Sequence, residues 1–118
     1  SMTSTQWPTA RKKKTPPEKA RLMALIAEAT VDAYNEAEQR MGFYTMFEEH
    51  LCMPFEAVIL GVSVVVERVD LADDDQIVAI CRRGRSKQAV PILELPLPTP
   101  RPAGTEWIDA YRIWARPR

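Results

Sequence analysis

The apolar positions of this chain change period at Pro54. Before it they recur at spacings of three and four. Leu22, Leu25, Ile26, Ala29 and Ala33 form one helical stripe, and Met41, Tyr44, Met46, Phe47 and Leu51 form a second. Thr15-Pro16-Pro17-Glu18 supplies a helix start, with Thr15 as N-cap, proline in the first turn and Glu18 completing a capping box. A second capping box, Asn35-Glu36-Ala37-Glu38, predicts a break near Tyr34 and a new helix that Pro54 stops. After Pro54 the residues turn β-branched and extended. Strands are predicted over Phe55–Leu60, Val62–Asp70, Gln76–Arg83 and Gln88–Leu93, with turns at Gly61 and at Gly84-Arg85-Ser86-Lys87.

Short strands joined in sequence order predict an antiparallel meander of four to five strands. It would form either a small bent sheet or an SH3-like barrel, with the two helices over one open side. Pro91, Pro96, Pro98, Pro100 and Pro102 end it, because proline supplies no ladder donor. Leu95 and Leu97 alternate with those prolines, which reads as a strap packed on the domain rather than an SH3 or WW ligand. Thr105-Glu106 then caps a last helix over Glu106–Ala115, docked through Trp107, Ile108, Tyr111 and Trp114. The fold class is α+β: a disordered basic arm over residues 1–14, then a single domain over residues 15–118.

Composition removes several functions. Cys52 and Cys81 lie far apart in apolar contexts and read as reduced, buried thiols. With His50 they make three nitrogen or sulfur donors, one short of the usual zinc shell of about four. A single histidine with no Gly-rich phosphate loop leaves an enzyme without a nucleophile, base or cofactor motif. Apolar runs fall short of the roughly 20 residues of a membrane helix, and the polar N-terminal stretch lacks a signal-type apolar core. A cytoplasmic protein is the expectation. The formal charge of zero hides an asymmetry: residues 1–17 carry +4, residues 18–75 carry −9 and residues 76–118 carry +5. The middle of the chain should therefore attract cations.

The acids fall in three groups. Asp70, Asp73, Asp74 and Asp75 crowd the connection between the second and third strands, with Glu67 just upstream. Asp32 and Glu36 share a helical spacing of four, joined by Glu38, and Glu48-Glu49 closes the second helix, where the macrodipole disfavours negative charge. Carboxylates without nitrogen or sulfur neighbours suit a hard cation, and a flexible acidic loop suits calcium better than magnesium. The loop is not an EF-hand, since the DxDxDG run is missing. Spacing alone leaves a solvated acidic turn and a cation site both open.

Longer pieces of sequence add to this. EAEQRMGFYTMFEEHLCMPFEA, VERVDLADDDQIVAICRRGRSKQAVPILELPLP and EWIDAYRIWAR together resemble the small bacterial calcium-binding proteins of the CcbP type, from about Tyr34 through Trp114. The resemblance implies a non-EF-hand calcium binder, a buffer or sensor rather than a catalyst, with acidic side chains on one surface as ligands. Charge clustering selects Asp70, Asp73, Asp74 and Asp75 as candidate ligands, with Asp32, Glu36, Glu38 and Glu67 beside them. Residues 1–14 lie outside the resemblance. The alternative function uses the opposite pole: Arg82, Arg83, Arg85 and Lys87 could hold nucleic acid or a protein partner, or could neutralise the acidic half. No aromatic residues stand near that turn in sequence to stack on bases.

Overall fold

A computed structural model describes residues 15–116. Its elements are α1 (Thr15–Ala29), α2 (Glu36–His50), β1 (Phe55–Ile59), β2 (Val62–Leu71), β3 (Ile77–Arg83), β4 (Ser86–Pro91), a 3₁₀ turn (Ile92–Glu94) and α3 (Glu106–Trp114). The basic arm expected over residues 1–14 and the capping side chain of Thr15 lie outside the described residues. Asn35 caps α2 as the sequence predicts, while Glu38 reaches back one residue past the cap. Asn35 Oδ1 accepts from the Glu38 N–H at 2.8 Å, and Glu38 Oε1 reaches back to the Tyr34 N–H at 2.7 Å. Gly42 lets the two helices approach, because a Cβ there would run into the Ala29 carbonyl.

The four strands pair antiparallel in the order β1-β2-β3-β4. The sheet is open, with β1 and β4 as its edges, so the SH3-like barrel is not the outcome. Closure needs strands tilted and bent enough for the edges to meet, and among the described residues the ladder shows one irregularity, between Val66 and Arg68. There Glu67 is the extra residue of a β-bulge. On either side of it the alternation changes phase. Val64 and Val66 face the helices before the bulge, and Val69 and Leu71 after it. The fourth strand starts and ends earlier than predicted: a two-residue Gly84-Arg85 turn lets Ser86 pair with Arg83, and Ile92 already belongs to the 3₁₀ turn.

The core lies between α2, α3 and the inner sheet face. Phe43, Phe47 and Tyr111 meet edge-on or tilted, with centroids 5.2–6.5 Å apart. Of the predicted α2 set, Tyr44, Met46, Phe47 and Leu51 lie in or against the core, while Met41 is 43% exposed and the fully buried Phe43 takes its place. Trp107, Ile108 and Tyr111 of α3 dock as expected. Thr105, however, sits buried with helical backbone angles and makes no side-chain cap. Cys81 is buried, as predicted, but Cys52 is exposed. Its strand-like segment has already left the helix, and its N–H bonds the Ala103 carbonyl at 2.9 Å. Beyond the sheet Leu95 is buried and Leu97 half-buried against the core, with Pro96 and Pro98 beside Val58 of β1.

Arg112 ties α3 to this segment. Its guanidinium donates to the carbonyls of Ile92, at 3.0 Å, and Leu95. Burial lowers its pKa, with Asp109 partly offsetting that loss. An Arg112→Ala change strips both carbonyls of a charged donor, so a loss of about 3 kcal/mol is expected in urea denaturation. Arg112→Lys, which reaches only one of them well, should fall between.

Candidate cation site

The β2–β3 connection is a closed turn. Ala72 N–H bonds Gln76 O and Asp75 N–H bonds Ala72 O, both at 2.9 Å, and Asp75 takes a left-handed φ of 64°. Asp74 Oδ1 accepts from the Gln76 N–H at 3.1 Å, an Asx-type contact that fixes the turn. Asp73, Asp74 and Asp75 are exposed, and Asp75 lies beside Ala37, Arg40 and Met41 of α2. The loop therefore borders the helix that carries Glu36, with Arg40 between the two acids. Arg40 is bonded to Glu36 at 2.9 Å.

The other sequence candidates have separate surroundings. Glu38 is spent on the α2 cap. Asp32 stands exposed in the α1–α2 connection at φ 64°. Glu67 is ringed by cations: Arg82 Nε at 2.6 Å, Lys87 Nζ at 3.2 Å and Arg68 Nη1 at 3.9 Å. Hydrogen bonds from Arg82 and then Lys87 hold its carboxyl below the usual range. Its preference for the charged form thus supports the fold above about pH 4.3, the ordinary glutamate value, and is lost as pH falls through the lower folded pKa. An NMR titration should place the Glu67 midpoint below the ordinary glutamate value, and Arg82→Ala should move it up. An unmoved midpoint would show that the bridge does not persist in solution.

Asp70 is placed differently. Its Oδ1 accepts from the Leu71 N–H at 2.8 Å, which leaves Oδ2 for another partner. It lines a polar groove of about 440 Å³ between α2 and β2, together with Tyr44, Glu48, Met53, Arg68 and Val69. Tyr44 Oη donates to the Val69 carbonyl across a long 3.4 Å contact. Partial burial, Glu48 and then Asp70 raise the Tyr44 pKa, with Arg68 opposing them. In the sequence Glu48 is half of a like-charge pair on an unfavourable helix end. In the fold it lines the same groove as Asp70, because α2 lies over β2.

Among the described residues no three His, Cys, Asp or Glu side chains converge as a metal cluster. The acids form a field with one two-carboxylate groove inside it. At the opposite pole, Arg82 and Lys87 are engaged by Glu67, whereas Arg83 and Arg85 form no ion pair among the described residues.

The described residues form an α+β domain of three helices and an open four-stranded antiparallel sheet. Residues 23–115 match the family model for CcbP, described as calcium binding, and the chain belongs to that calcium-binding family. No curated protein and no solved structure matches it. Among the described residues no helix is long and apolar enough to cross a membrane.

Proposed function

We propose that this chain is a non-catalytic calcium binder whose ion is held in the groove between α2 and β2. The observation that carries this reading is that Glu48 and Asp70 line one groove with Tyr44 and the Val69 carbonyl, the Arg68 guanidinium also in its wall. The donor set fits calcium by its chemistry. Two carboxylates, a phenol and a backbone carbonyl are all oxygen, without the sulfur or imidazole that a softer metal prefers. Calcium takes about six to eight oxygens in forgiving geometry, and an open groove leaves room for water to supply the remainder. Magnesium, which demands a tight octahedron, fits this groove less well.

Each acid then has a stated part. Glu48 and Asp70 bind. Asp73, Asp74 and Asp75 stay hydrated on the nearby turn and raise the local cation concentration. Glu67 is held by Arg82 and Lys87 and is left out of the ligand set, as is Glu38. With few charged ligands and a wet groove the affinity is weak, in the range of about 10⁻⁴–10⁻³ M. A reducing, cytoplasmic location agrees with the exposed free thiol of Cys52.

Isothermal titration of chelator-stripped protein with calcium and with magnesium tests the proposal. Calcium should give saturable heat, and at a hundredfold excess over Kd should raise stability by about 2.7 kcal/mol. Absence of both heat and a shift in melting temperature at roughly 10–100 mM calcium, a hundredfold excess over that Kd, would sink it.

A further inference from the structure

The end of the sheet away from the acidic groove carries a second surface. Ile59, Val62, Val64 and Val90 are only half-buried, although they lie on the same face as the core residues Val66 and Ala79. They wall a concavity of about 340 Å³ that Arg83 also lines. At its rim stands Leu60, which is 97% exposed with a left-handed φ of 52°. A branched apolar residue in that conformation is strained, and it gains nothing from burial within this chain. A turn that had only to reverse direction would be better served by Asn or Gly at this position. Strain and exposure at one side chain, next to an apolar hollow, point to a contact made with something else.

We infer that this hollow is a docking site for a segment of another protein in which an apolar side chain is flanked by Asp or Glu. The hollow is concave with apolar walls, a shape that admits a side chain. Its charge decides the flanks. Arg83 in the wall and Arg85 at the adjoining turn have no ion-pair partner among the described residues, and Lys87 is half-exposed beside them. Uncompensated guanidinium groups beside an apolar pocket favour carboxylates on the partner and reject cationic segments. The shape argues against a bilayer, which would meet a convex apolar patch better than a hollow. A second copy of the chain offers acids at Asp73–Asp75, but no large apolar side chain stands among them.

A display library of randomised peptides, panned on the whole chain, tests the inference. The selected peptides should carry one large apolar residue between acidic ones. Their binding should weaken with salt and shift the amide resonances of Ile59, Leu60, Val62 and Val90. Leu60→Asn should reduce affinity roughly tenfold or more by removing an exposed anchor. The same change should hold or raise the melting temperature, because Asn tolerates the left-handed turn. Arg83→Glu should give a similar loss and turn the preference toward basic peptides. No enrichment, a basic consensus, or shifts that map elsewhere would overturn the proposal. So would stronger Leu60-dependent binding to phosphatidylserine vesicles, to single-stranded RNA or to the chain itself.

Discussion

Gly104→Ala should cost this fold about 3–5 kcal/mol, a large share of the roughly 5–15 kcal/mol that holds a domain together. Two independent penalties meet at that position. Gly104 has φ 92°, a region that L-residues with a Cβ rarely enter. A methyl there would also drive into the backbone of His50 and Leu51 at the end of α2. Backbone cannot step aside as a flexible side chain can, so either the helix end or the turn must move. That turn carries weight on both sides. Cys52 N–H bonds Ala103 O at 2.9 Å and Trp107 N–H bonds Gly104 O at 3.1 Å, so displacing it disturbs the exit from α2 and the start of α3 together. Gly84→Ala is the control, since its φ is 59° but the space around a Cβ is open. It should cost about 1–2 kcal/mol, the left-handed penalty by itself. Urea midpoints for the two variants separate the effects. Equal losses would mean that the close approach to His50 contributes nothing.

The local grammar of the fold was legible in the sequence. Pro54 divides helical from extended periods, Asn35 forms the predicted cap, and the acidic connection joins two paired strands. Properties fixed by docking were not. Most of the α2 stripe was legible, but Met41 and Phe43 flank it at equally plausible positions. The aromatic cluster with Tyr111 of α3 buries Phe43 and leaves Met41 exposed. The Glu67 bulge shifts the alternation by one residue, and Val65-Val66-Glu67-Arg68 contains no glycine or proline to announce it. Sheet or barrel was likewise undecided by strand count, since closure depends on bend and tilt.

For the site, charge density marked the acidic surface, while the partners of the individual acids depend on the fold. Three consecutive aspartates are the most visible acids in the chain, yet Asp74 has a sufficient structural reason in the Gln76 N–H. Glu67 looked like part of the same cluster and belongs to the cationic turn instead, because the bulge places it against Arg82 and Lys87. Glu48 was marked by its poor position at a helix end, a local cost that its groove location now explains.

Glu48→Gln combined with Asp70→Asn should lower calcium affinity by about a hundredfold, whereas Asp73→Asn/Asp74→Asn/Asp75→Asn should lower it only a few-fold. The double change removes both charges facing the ion while keeping an acceptor for the Leu71 N–H, so the fold should survive it. Glu48→Gln also relieves the helix end, and ion-free stability should rise by a few tenths of a kcal/mol. Charges on the turn act on the groove through solvent, where screening over roughly 8–10 Å blunts them. High salt should therefore erase the effect of the triple change and leave the effect of the double change standing. Tyr44 supplies a readout independent of heat. Glu48 and Asp70 add to the burial that holds its phenol protonated, so calcium between them should bring the Tyr44 pKa down. The double variant should start from that lowered value and respond no further to calcium. If the triple variant abolishes binding and the double variant does not, the ion sits on the turn, and the groove is only a neighbour to it.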